Sequence, residues 1–88
     1  MMTVDQVSRR LFAQRNEIQK AGFTWKPADW TMHLCPADIR DLKMDPAIMR
    51  VAPGLFEGSS LDSFMGCTVL EDPRLEPGDI RIRREIKL

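Results

Sequence analysis

Four residues near the carboxyl end, Ile80-Arg81-Ile82-Arg83, constrain this chain more than any other stretch. Ile80, Ile82, Ile86 and Leu88 fall on one side of a strand, and Arg81, Arg83, Glu85 and Lys87 on the other. Only Arg84 breaks the apolar row. Strict alternation over this length reads as a β-strand with one wet face and one dry face. Such a strand needs a pairing partner and an apolar layer over it, and both must come from the rest of the chain. Upstream lies Phe64–Leu70, where Met65, Cys67 and Val69 alternate with Phe64, Thr68 and Leu70. Both rows are largely apolar, as in a strand covered on two faces. Gly66 inside it marks a bulge or a close backbone approach. Glu71–Asp79 holds Pro73, Pro77 and Gly78, and Pro77-Gly78 is a type II turn pair. The two runs and the turn between them read as a carboxy-terminal β-hairpin.

The apolar cover is supplied by Met2–Gly22. Thr3-Val4-Asp5-Gln6 fits a capping box, with Thr3 accepting from a first-turn amide and Gln6 reaching back. Val4, Val7, Leu11 and Ile18 then follow helical spacing and form one stripe, widened by Phe12. Lys20 suits the negative end of the helix dipole, and Gly22 suits a left-handed stop. After a connector interrupted by Pro27, Trp30–Cys35 alternates Trp, Met and Leu with Thr, His and Cys, a short strand. Pro36 opens a second helix through Lys43, with Asp38 in its first turn. Asp45-Pro46 restarts a short turn that directs Ile48 and Met49 inward, and Ala52–Ser63, with Pro53, Gly54 and Gly58, reads as a loop.

Eighty-eight residues make one domain, spanning 1–88, with a small core. A 43% hydrophobic fraction with 30% charge excludes a disordered composition. Six Met and no Tyr favour an adaptable apolar surface or core. The net charge is zero, which excludes a global attraction for nucleic acid or anionic lipid. Locally the charge is uneven. Residues 1–22 carry Arg9, Arg10, Arg15 and Lys20 against Asp5 and Glu17, and residues 80–88 carry Arg81, Arg83, Arg84 and Lys87 against Glu85. Two Cys make no disulfide framework, and no run of apolar residues has the length of an export signal or a membrane span.

Each candidate site competes with a plainer role. Cys35, just before a helix start and two residues after His33, has the setting of an activated thiol, but also that of a small residue at a corner. His33, Cys35 and Cys67 could offer three ligands to a metal, short of the four a structural zinc uses. Asp38 and Asp41, three apart on a short helix, are explained by solvation. The phosphate-binding, dinucleotide-binding, zinc-protease and nucleophile-elbow motifs do not occur in the sequence. These readings assign no catalytic residue, no metal and no cofactor. The partner-contact candidates are the basic strand row Arg81, Arg83 and Lys87, and the aromatic pair Trp25 and Trp30 beside Phe23. A basic row also resists indiscriminate edge pairing.

Two stretches carry a resemblance. "MHLCPADIRDL" (Met32–Leu42) looks like an apolar strand, a small residue, Pro and an amphipathic turn. "FMGCTVLEDPRLEPGDIRI" (Phe64–Ile82) looks like a G-x-x-V strand, an acidic-Pro turn and L-x-P-G-x-I. In this order the pair is similar to small proteins of tailed bacteriophages and prophages. It also resembles the last third of tailed-phage major capsid proteins, although this chain has no room for their long spine helix and extended loop. The span that holds both stretches, Met32–Ile82, is roughly half the chain. It implies a phage origin and a virion or assembly role, and brings no catalytic residues with it.

The expected fold is therefore α+β. Two helices pack on a small, mostly antiparallel three-stranded sheet of Trp30–Cys35, Phe64–Leu70 and Asp79–Lys87, which ends in the hairpin. Ile80, Ile82 and Val69 form the apolar floor. The expected function is non-enzymatic: a phage-type structural or assembly protein touching itself, as a homo-oligomer, or a larger phage structural protein. Its expected location is the cytoplasm of the bacterial host or the virion, with no membrane association. The alternative is a nucleic-acid-binding accessory protein using Arg9, Arg10, Arg81 and Arg83.

Overall fold

The computed structural model describes residues 1–52 and 61–85. The expected loop segment Pro53–Ser60 and the strand end Ile86, Lys87 and Leu88 lie outside the described residues. The first helix, α1, runs Val4–Lys20. Its capping box is complete: Thr3 Oγ1 accepts from the Gln6 amide at 3.2 Å and Gln6 Oε1 accepts from the Thr3 amide at 2.9 Å. At the other end Gly22, with φ of 88°, carries the chain out of the helix. Val4, Val7 and Leu11 are buried, while Ile18 packs at the margin of the core and Phe12 is 40% exposed. A 3₁₀ turn, Pro27–Asp29, leads into β1, Trp30–Leu34. The helices α2, Pro36–Met44, and α3, Ile48–Val51, follow, then β2, Ser63–Phe64, β3, Cys67–Glu71, and β4, Ile80–Arg84.

Among the described residues the sheet has four strands in the order β2-β3-β1-β4. The α+β class holds, and the expected small, mostly antiparallel three-stranded sheet ending in a carboxy-terminal hairpin is corrected to this mixed sheet. β1 and β3 pair in parallel, with Thr31 opposite Thr68 and Leu34 opposite Glu71. β1 and β4 pair antiparallel, with Trp30 opposite Arg84 and Leu34 opposite Ile80. β3 and β4 never meet, because β1 lies between them. The Asp72–Asp79 connection is long enough to vault one strand, and its ends are tied down: the Asp72 amide donates to the Leu34 carbonyl at 2.8 Å. The Pro77-Gly78 turn forms as expected, with the Asp79 amide bonded to the Glu76 carbonyl and Gly78 at φ 93°. Asp38, only 2% exposed at the start of α2, accepts from the Gly78 amide at 2.8 Å and fixes that turn to the helix layer.

The hairpin sits elsewhere. Phe64 pairs with Cys67 across the two residues Met65 and Gly66, at φ 50° and 88°. Two successive positive φ values define a type I′ turn, which matches the twist of the strands it joins. The continuous strand expected over Phe64–Leu70 is therefore two strands. Gly66 also meets the expectation of a close approach, since a Cβ there would sit 3.0 Å from Pro27 Cβ.

The helices α1, α2 and α3 pack their buried residues on the sheet face that carries Met32 and Leu34. The centre of the core is β1, with Met32 and Leu34 at 0% exposure beside Phe64, Leu42 and Val7. Val69 is buried, Ile80 and Ile82 are half-buried against the same core, and α1 touches β4, so the expected floor forms, with β1 added at its centre. Ile48 points inward as read, but Met49 is 38% exposed.

A carboxylate from the middle of the chain holds the front of α1. Asp45 Oδ2 accepts from the Val4 amide at 2.8 Å, and its Oδ1 accepts from the Ala47 amide at 2.9 Å. These two donors hold the Asp45 carboxyl below the ordinary value of 3.8. A depressed folded pKa contributes stability that is fully present above that ordinary value and is lost as pH falls through the lower one. Asp72, which accepts from the backbone and side chain of Arg74, is lowered in the same sense. The urea midpoint should thus hold steady from neutral pH to about 5 and drop below about 4. Asp45→Asn, with one acceptor oxygen for two amides, should lower the midpoint at neutral pH and flatten the acid limb. A variant whose pH curve overlays the parent would remove this role.

Candidate contact surface

The face of the sheet away from the helices carries two cross-strand rows. Register sets Thr68, Thr31 and Arg83 side by side, and likewise Leu70, His33 and Arg81. Both arginines are exposed, as is Leu70 at 45%. Glu85 folds back over this face: its Oε2 accepts from the Thr31 hydroxyl at 3.3 Å, and its Oε1 lies 3.2 Å from His33 Nε2. That engagement leaves Arg81 and Arg83 with no carboxylate in ion-pair range among the described residues.

Lys87, the third member of the expected basic row, lies outside the described residues. Arg9 and Arg10, expected to extend that row for nucleic acid, do not join it. They project from the solvent side of α1, where Arg9 pairs with Asp5 at 3.0 Å and Arg10 contacts Gln14. The core separates them from Arg81 and Arg83.

The aromatic pair stands at the end of the sheet where β1 begins. The rings of Trp25 and Trp30 are stacked, 5.3 Å between centroids and 29° between planes. Trp30 is buried at 9% exposure and Trp25 is half-buried. Phe23 is 65% exposed, and with Ile18, Thr24, Lys26, Asp29, Trp30 and Arg84 it lines an open groove of about 330 Å³. The sequence places Phe23 in this cluster, but only the fold reveals that it is the exposed member. The signal was its position directly after the helix stop, where the chain turns outward before re-entering the sheet.

The sulfur and imidazole groups do not converge. His33 is on the outer face, whereas Cys35 and Cys67 are buried at 2% and 1% exposure, both free. Among the described residues no three metal-ligating side chains gather. Burial pushes the Cys67 thiol up, away from the thiolate that a nucleophile requires. The folded chain should therefore react with a thiol reagent about a hundredfold or more slowly than the chain in urea. Rapid labelling of either cysteine in the native state would contradict that burial.

No described helix is long and apolar enough to cross a membrane. Comparison with protein-family models, curated proteins and solved structures finds no match to this chain.

Proposed function

We propose that this chain is a small non-enzymatic protein of phage type that works in virion structure or assembly through contacts with copies of itself or with a larger structural protein. The observation that carries this reading is the exposed row of Arg81 and Arg83, which has no carboxylate in ion-pair range among the described residues, beside an exposed aromatic groove. Exposed charged and aromatic side chains are the raw material of a contact surface. The phage assignment rests on the resemblance of Met32–Leu42 and Phe64–Ile82 alone.

Mass measurement in solution and capture by virion proteins test it together. An oligomer, or a stable complex with a head or tail component, is the expected result. A strict monomer that binds no virion protein ends the proposal. The nucleic-acid reading now depends on Arg81 and Arg83 without Arg9 and Arg10. Its signature would be an affinity for DNA or RNA that falls steeply between low and moderate salt.

A further inference from the structure

We propose that the free edge of β4, together with the groove at its Arg84 end, takes an extended acidic strand from a partner protein. This rests on the contact reading above and specifies the partner's chemistry. Among the described residues β4 is the outermost strand and pairs only with β1. The Glu85 amide donates to the Asp29 carbonyl at 2.9 Å, which fixes the alternation of the ladder. Thr31–Arg83 and His33–Arg81 are then the doubly bonded pairs, and the backbone groups of Ile80, Ile82 and Arg84 point away from the sheet. Among the described residues no backbone group bonds to them, so an incoming strand would find donors and acceptors to pair with.

Charge selects the occupant. A second copy pairing antiparallel about Ile82 would set Arg81 against Arg83 of that copy, and like charges directly opposite are destabilising. A strand with carboxylates at alternate positions instead meets Arg81 and Arg83 on the outer face, with Glu85 already held by Thr31 and His33. Its intervening side chains fall beside Ile80 and Ile82, which are half-buried and extend the core. Apolar residues therefore suit those positions. One further apolar side chain enters the groove between Ile18, Phe23 and Trp30, whose charged lining residues are Lys26, Arg84 and Asp29.

The two tryptophans of the chain, Trp25 and Trp30, both stand at this end, so their emission reports on it. The probe is a blocked octapeptide alternating glutamate and valine; its lysine–valine counterpart is the control. A saturable change in emission with the glutamate peptide is expected, with affinity falling as salt rises. The double substitution Arg81→Glu, Arg83→Glu should weaken it about tenfold or more. Phe23→Ala should weaken it while leaving the salt dependence in place. Circular dichroism of each variant confirms folding, and these exposed side chains are no part of the core.

Absence of a saturable change up to about 1 mM peptide, or an equal response to the lysine control, overturns the proposal. So does unaltered binding by the double variant. An oligothymidylate that binds where the peptide fails gives the arginine row to nucleic acid. A chain that self-associates or captures a virion protein yet ignores the peptide leaves the contact reading standing and removes only this one.

Discussion

Phe64→Ala should destabilise the protein by about 3–5 kcal/mol. The ring is fully buried, in a strand of two residues held to its neighbour by the shortest possible hairpin. Its removal costs the transfer free energy of an aromatic ring and leaves a void that so small a core has little freedom to refill. A chain of this length has about 4–13 kcal/mol in total, so the loss is a large share of the whole. Urea unfolding followed by tryptophan emission measures it. Phe23→Ala, at a 65% exposed position, is the matched control and should stay within about 0.5 kcal/mol of the parent. A Phe64 variant as stable as that control would mean that the ring is not where the structure has it.

The second large effect is expected at Gly66. Its φ of 88° lies in the left-handed region, and a Cβ would press on Pro27 at 3.0 Å. Gly66→Ala therefore combines a backbone penalty with a steric one, together about 2–4 kcal/mol. Gly78→Ala separates the two. Gly78 has a similar φ of 93° with nothing within 4 Å, so only the backbone cost of about 1–2 kcal/mol should appear. Equal losses at the two sites would show that the contact with Pro27 contributes nothing. A greater loss at Gly66 ties the 3₁₀ turn before β1 to the hairpin.

The elements dominated by local chemistry were legible in the sequence. The capping box and apolar stripe of α1, the Pro36 start of α2, the alternation of β1 and β4, and the Pro77-Gly78 turn all follow from residues close together in the chain. What failed was strand order. The most conspicuous turn residues, Pro77-Gly78, do not close the hairpin, which turns on Met65-Gly66, a pair with none of the usual Asn or Asp at the first position. The parallel pairing of β1 with β3 does have a signal in the sequence. A strand, a helix and a second strand with both rows apolar is the arrangement of a parallel pair. Asp45 could be read as a cap, but not as one that reaches back to the first helix. At the candidate surface, the exposure of Arg81 and Arg83 followed from alternation, whereas the separation of Arg9 and Arg10 depended on which face the helices cover.

The order of the strands has a consequence for biosynthesis. β1 is the first to leave the ribosome, yet both its neighbours are encoded later, and the second is complete only at Arg84. At ordinary elongation rates the roughly fifty residues from Leu34 to Arg84 take about 3–10 s to emerge. Through that interval the greasiest strand of the protein has at least one naked flank, while α1 can already have wound up. The nascent chain is therefore most vulnerable to clumping at mid-translation, and a pause or truncation upstream of Ile80 should send it to inclusion bodies.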